Sequence, residues 1–228
     1  KETYPDGGQA VQAANNELVN LLSDDKLTGE VWFPPFDPDG NRLQINSTVQ
    51  FGGGGATIVP QGFGFTNYAD GGYLSSNITD GSATFELLPA ENRSSRAITS
   101  PFGGFVIYGN ANDSEGLRII DGVGFKLTRP TLFYGFDTQS GDGVVVLDGA
   151  TFNCAIDGLS VNGSGVAANR AIAHINSNGN GPLGDIYYGP RNNISKDAFE
   201  TALYCEVQNN PSIIWGGRIE GSNTDNGA

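Results

Sequence analysis

Methionine is absent from these 228 residues, histidine occurs once, cysteine twice, and lysine only four times, at Lys1, Lys26, Lys126 and Lys196. Each scarcity excludes something. A single histidine, His174, argues against a histidine-based metal centre, and any Ser/His/Asp or Cys/His mechanism would have to use it. Twelve basic groups against 25 acidic ones give a formal net charge of -13, so the basic footprint that nucleic acid or an anionic membrane surface requires is missing. No apolar run approaches the ~18 residues of a membrane span, and no membrane insertion is expected. With Lys1 in first place and no methionine, the polypeptide reads as processed or trimmed, any signal peptide having been lost.

What is present is acid, amide and glycine. Two readings account for the acid surplus: adaptation to high salt, or Ca²⁺ ligation in Asp-rich loops. The acids are spread along the chain, which favours salt, and no cofactor is expected beyond Ca²⁺ under the second reading. Half of the sixteen aspartates directly precede glycine, at Asp6, Asp39, Asp70, Asp80, Asp121, Asp142, Asp148 and Asp157. Asp-Gly is sharp-turn chemistry, which shrinks the pool of catalytic acids. Six Asn-x-Ser/Thr sequons, at Asn46, Asn77, Asn92, Asn112, Asn162 and Asn193, fit an extracellular glycoprotein. Cys154 and Cys205 are compatible with one disulfide outside the cell or with two buried thiols in apolar strands.

Residues 8 to 22 carry apolar positions at Ala10, Val11, Ala14, Leu18, Leu21 and Leu22, the three-and-four spacing of an amphipathic helix. After Trp32 the pattern changes to short β-branched and aromatic runs separated by Gly, Asn and Asp, which is strand-and-turn grammar. The helix segment Gln9-Ala10-Val11-Gln12-Ala13-Ala14 precedes Gly29-Glu30-Val31-Trp32-Phe33-Pro34-Pro35, then Ile45-Asn46-Ser47-Thr48-Val49, then Ala56-Thr57-Ile58-Val59 and Gly62-Phe63-Gly64. This order resembles the opening of the pectate-lyase-like superfamily over roughly residues 5 to 66. The resemblance implies an all-β fold, a right-handed single-stranded parallel β-helix with an N-terminal capping helix. It departs from the family pattern where Phe36-Asp37-Pro38-Asp39-Gly40-Asn41 lengthens the first turn.

An internal repeat supports a coil. A shift of 27 places Ile120-Asp121-Gly122 on Leu147-Asp148-Gly149, and a shift of 26 places Val106-Ile107-Tyr108-Gly109 on Leu132-Phe133-Tyr134-Gly135. Such a period is one rung of a three-sheet solenoid, and residues 30 to 222 would supply seven or eight. The expected organisation is an N-terminal arm and capping helix over 1–27, a β-helix over 28–222, and a polar tail over 223–228. Loop excursions are expected at 67–103 and 176–200, the places to look for recognition. No second capping helix is evident, which suggests that further protein follows.

Chemistry is sparser. Gly52 to Gly55 lack the Lys-Ser/Thr of a phosphate cradle, and Asp37 to Asn41 lacks the distal Glu of a Ca²⁺ loop. No metal site is expected. Asp121 and Asp148, equivalent in the 27-residue repeat, would lie one rung apart and are the candidate catalytic pair, although each belongs to a turn. Arg118, Arg129, Arg170 and Arg218 are the candidate lyase bases, Arg218 having an aromatic neighbour. Tyr187, Tyr188 and Trp215 are candidate sugar platforms. His174, between Ala173 and Ile175 in an alternating strand, is expected to face solvent. The Gly-His-Gly turn of the superfamily's glycosidases is missing.

The resulting expectation is a non-catalytic extracellular β-helix at a cell or virion surface. A spike, turret, fibre or adhesin would meet a host or cell-surface polysaccharide and assemble as a homo-oligomer such as a trimer. The alternative is a polysaccharide lyase or glycoside hydrolase.

Overall fold

Runs of two to eight residues, closed by turn residues, fold in the computed structural model into strands that pair in parallel, twenty of them among the described residues. The structure describes residues 7–22, 28–33, 42–53, 57–62, 72–88, 101–149, 151, 153–162, 168–177, 185–195, 199–206 and 213–220. Helix α1 (Gly7–Leu22) comes first, and strands then recur in threes. The first set is β1 (Thr28–Phe33), β2 (Leu43–Ile45) and β3 (Val49–Phe51), and the second β4 (Thr57–Gly62), β5 (Gly72–Ser76) and β6 (Ala83–Leu87). There follow β7 (Pro101–Phe102), β8 (Phe105–Tyr108) and β9 (Glu115–Ile120), then β10 (Lys126–Leu127), β11 (Thr131–Tyr134) and β12 (Val145–Asp148). The remainder are β13 (Cys154–Ile156), β14 (Leu159–Asn162), β15 (Ala168–Ile175), β16 (Ile186–Tyr188), β17 (Asn193–Ser195), β18 (Phe199–Cys205), β19 (Ile213–Trp215) and β20 (Arg218–Glu220).

Every third strand stacks on the one before. The first sheet runs β7-β10-β13-β16-β19, with β1-β4 joined to it by the parallel bridge Gln61–Gly103. The second sheet stacks seven strands, β2-β5-β8-β11-β14-β17-β20, and the third six, β3-β6-β9-β12-β15-β18. The described residues therefore form a parallel β-solenoid with one N-terminal helix. Residues 67–103, read from the sequence as an excursion, contribute β5, β6 and β7, and residues 176–200 contribute β16, β17 and the start of β18. The extended first turn, Phe36 to Asn41, lies outside the described residues.

Stacking aligns the inward side chains in columns. In the third sheet Phe51, Leu87, Ile119, Leu147, His174 and Cys205 succeed one another in register. In the first, Leu127, Ile156, Tyr188 and Trp215 do so. At the N-terminal end Phe33, Phe51, Phe85 and Phe105 meet inside the coil with ring centroids 5.2 to 6.3 Å apart. Such edge and tilted pairs add about 0.5–1.5 kcal/mol each beyond their area burial.

The rungs also approach closely at Gly62, where a Cβ would stand 1.8 Å from the Gly104 carbonyl oxygen, so only glycine lets this pair of backbones meet. Helix α1 covers the first rung through Val11, Leu18, Val19 and Leu22. Its buried face differs from the one expected: Ala14 and Leu21 face solvent, and Asn15 is buried in their stead.

The register corrects the sequence alignment at one place. The shift of 26 over Val106 to Tyr108 matches the pairing. The shift of 27 does not, because Leu147 pairs with Ile119 and Asp148 with Ile120, a shift of 28. A one-residue slip moves a side chain to the other face, and with it the supposed equivalence of Asp121 and Asp148 is lost.

Candidate functional site

The outer face of the third sheet gathers the charges. Register aligns Gln50, Glu86, Arg118, Val146, Ala173 and Tyr204 as outward neighbours. The Arg118 guanidinium holds Glu115 through Nε and Nη2, at 2.9 and 2.7 Å, and reaches Asp142 at 2.6 Å and Asp148 at 2.7 Å. Glu115 and Asp148 are almost wholly buried, whereas the Asp142 side chain is 41% exposed. Burial opposes the charge on Arg118, but the bonds and field of Glu115 and then Asp142 outweigh it and raise its pKa above the ordinary value. For Glu115 burial wins: its carboxyl is pushed above its ordinary value even though Arg118 and the Asp142 N–H pull it down. Asp148 is held from the other side by the Ser177 N–H at 2.9 Å and hydroxyl at 2.6 Å.

Beside this cluster, β15 and β18 form a depression of about 350 Å³ lined by Asp142, Arg170, Ile175, Asn176, Ser177, Tyr204 and Glu206. The Arg170 guanidinium carbon lies 3.7 Å from the Tyr204 ring centroid, a cation–π stack that fixes the side chain. Val146, Ala173 and Ile175 pack with Tyr204 beneath it. Glu206 accepts the Asn176 N–H at 3.1 Å through Oε2. Donors, acceptors and an apolar floor thus share one small concavity.

Two other depressions are accounted for by the fold. One, lined by Gln12, Asn15 and Gln50 among others, is the seam between α1 and the first rung. The other follows an amide ladder along a turn, in which the Asn77 amide donates to Asn46 at 2.7 Å and to Gln44 at 3.0 Å, and the Asn110 amide donates to Ser75 at 2.7 Å.

The residues singled out from the sequence are scattered. Asp121 sits in a turn after β9 with φ 48°, and its N–H donates to the Asp148 carbonyl at 2.8 Å; only Asp148 belongs to the Arg118 cluster. Arg218 is exposed on β20, paired with Glu220 at 2.6 Å. Arg129 reaches the Gly62 carbonyl and lies over Trp32. Tyr187 is exposed, as a platform requires, but Tyr188 is fully buried in the inward column and Trp215 packs on it at 4.9 Å, so these two do not form a solvent-facing platform. Among the sequons, Asn46 and Asn77 are exposed, Asn112, Asn162 and Asn193 are half-buried, and Asn92 lies outside the described residues.

His174 departs furthest from expectation. Its strand alternates as foreseen, but with the opposite sense, and the ring is inside the coil with no exposure. Nε2 lies 2.6 Å from the Tyr188 hydroxyl, and burial pushes its pKa down to about 4. Cys154 and Cys205 lie on different sheets and are not joined by a disulfide, and both influence Tyr188, whose pKa is raised first by burial and then by their field. Sequence reading missed Glu115, Asp142 and Tyr204, whose roles depend on register across rungs. It saw Arg118 and Arg170 only as members of a set.

Fold and site together define a parallel β-solenoid with a polar concavity on one outer face. No family model and no curated protein matches the chain. Among solved structures it is similar to ORF18 of Geobacillus virus E2, with 18% identity over 85% of this chain and 43% of that one and a TM-score of 0.35. The chain thus spans less than half the length of that protein.

Proposed function

We propose that the chain is a non-catalytic β-helix of a cell or virion surface, of the spike, turret, fibre or adhesin kind, that contacts glycan through the Arg170–Tyr204 depression. The observation that carries this reading is the stacked Arg170 beside an apolar floor and polar rim, because saccharides offer apolar ring faces edged by hydroxyls. The acidic, lysine-poor composition and the resemblance of the opening segment to the pectate-lyase-like superfamily support an extracellular, salt-adapted setting. Glycans on the exposed sequons and assembly into a homo-oligomer such as a trimer belong to the same proposal.

One observation favours the enzymatic alternative: Glu115, Asp142 and Asp148, from neighbouring rungs, converge on one arginine. Glycoside cleavage needs two carboxyls free to act on a bond between them. Here a single guanidinium ties all three, and two are buried. The test is a panel of neutral and acidic polysaccharides, with and without Ca²⁺, in low and molar salt, scored for retention by the protein and for release of reducing ends or unsaturated uronates. Retention without release is expected; release would replace this reading with lyase or glycosidase activity.

A further inference from the structure

We infer that the Arg170–Tyr204 depression selects neutral sugars carrying adjacent hydroxyls and rejects uronates and sulfated sugars. The inference rests on the glycan reading above and adds the ligand class.

An arginine in a glycan site ordinarily suggests an acidic sugar, since its planar fork matches a carboxylate. The surroundings of Arg170 argue otherwise. Its guanidinium makes no ion pair or hydrogen bond with a described residue and is held by the Tyr204 ring alone. Asp142 and Glu206 line the same depression. Each is fixed through one oxygen: Asp142 Oδ2 accepts from Arg118, and Glu206 Oε2 accepts from the Asn176 N–H. The partner oxygens, Asp142 Oδ1 and Glu206 Oε1, take no hydrogen bond from a described residue. The concavity is therefore lined by two carboxylates that each keep one acceptor oxygen open and by one guanidinium whose donors are open.

Behind the rim, Glu115 and Asp148 share Arg118 with Asp142. Four carboxylates thus stand against two guanidiniums in this neighbourhood, within a chain of formal charge -13. An anionic ligand meets repulsion both on approach and in place. A neutral pyranose does not. Its adjacent hydroxyls donate to the open oxygens of Asp142 and Glu206, its ring oxygen or a further hydroxyl accepts from Arg170, and its C–H face rests near Ile175 and Tyr204. The volume, about 350 Å³, lies at the small end of ligand sites, which run from roughly 300 to 1,000 Å³, and admits one or two sugar residues rather than a long chain.

The experiment is calorimetric titration of the full chain with neutral gluco-, galacto- and manno-oligosaccharides and with oligogalacturonate, in low and molar salt, for the wild type, Arg170→Ala and Glu206→Gln. Thermal melts confirm that each variant is folded, and Glu206→Asp provides a conservative second variant if the amide perturbs the rim. The expected result is saturable binding of a neutral sugar, little changed by salt. It should be weakened about ten-fold or more by Arg170→Ala, the size of a central contact, with no binding of uronate by the wild type and a gain of it in Glu206→Gln. Uronate binding by the wild type that Arg170→Ala abolishes would overturn the ligand class and leave the glycan reading standing. Neutral binding indifferent to Arg170 would overturn the site. Silence across the panel would overturn both.

Discussion

Gln12 binds Gln50 with both ends of its amide: Oε1 accepts the Gln50 N–H at 2.7 Å, and Nε2 donates to the Gln50 carbonyl at 3.2 Å. Strand β3, which holds Gln50, is the first of its sheet, so the helix supplies the hydrogen bonds that a preceding strand would have made. Asn15 does the same for the Gly52 N–H at 3.0 Å, in a buried setting. An uncovered edge is a template for adventitious pairing, and α1 closes it chemically as well as sterically.

Replacing these amides should separate the two contributions. Gln12→Ala acts at an exposed strand residue where water can substitute, and should cost about 1 kcal/mol, whereas Asn15→Ala strands a buried donor and should cost about 1–3 kcal/mol. In a chain of this size each kcal/mol lowers the melting temperature by about 2–4 °C. Leu21→Ala, on the exposed side of the helix, should stay within about 0.5 kcal/mol. Equal melts for Asn15→Ala and Leu21→Ala would remove the capping argument.

Arg118→Met should destabilise the middle rungs by about 3–5 kcal/mol, because Glu115 and Asp148 would be left buried and unpaired. Asp142, more than a third exposed, contributes little to that figure. Arg118→Lys should recover only part of the loss, since an ammonium cannot match the two-pronged bond to Glu115. Urea unfolding midpoints read both, and a lysine variant as stable as the wild type would show that charge alone suffices.

Neighbouring asparagines make a sharper comparison. Asn192 accepts the Gly158 and Leu159 N–H groups at 3.0 and 2.9 Å and donates to the Ile156 carbonyl at 2.8 Å, all buried. Asn193 Oδ1, in the sequon, has no such partner among the described residues. Asn192→Ala should therefore cost about 3 kcal/mol or more and Asn193→Ala less than about 1 kcal/mol, as thermal melts of the two variants would show.

The His174–Tyr188 pair makes the far end of the coil acid-sensitive. An unfolded histidine titrates near 6.5, while His174 in the fold is held down to about 4. Above pH 6.5 neither state binds the proton and the full stability is present. As the pH falls from 6.5 towards 4, the unfolded chain takes up a proton that the fold refuses, and stability drops by up to about 3 kcal/mol. Carboxylates titrate in the lower part of this range too, so the measurement is a difference: denaturation at pH 7 and pH 4.5 for the wild type and for His174→Phe combined with Tyr188→Phe. The double variant should lose less stability on acidification, and equal losses would clear His174 of the effect.

How much of this was legible in the sequence follows from what each inference needed. Local patterning gave the capping helix and the strand runs, since period and turn residues are properties of adjacent positions. The helix's buried face was displaced because Asn15 is polar, and an apolar template cannot anticipate an amide that serves a neighbouring strand's backbone. The apolar neighbours Ala173 and Ile175 point to an outward His174, yet they pack with Val146 and Tyr204 on the outer face. A solenoid strand with both faces covered gives alternation no sign. The Arg118 cluster depends on a register of 28, whereas the likeness of Ile120-Asp121-Gly122 to Leu147-Asp148-Gly149 implies 27. Tyr188 and Trp215 stand beside glycine as platform residues do, whereas register puts them inside.

The most direct test of the account is to pass a neutral oligosaccharide of defined length over the immobilised chain in molar salt and record both its retardation and the length of what elutes. Retardation by the wild type, its loss in Arg170→Ala, and recovery of the oligosaccharide at full length are predicted. Shortened product would contradict the account by showing that this face cleaves the glycan it holds.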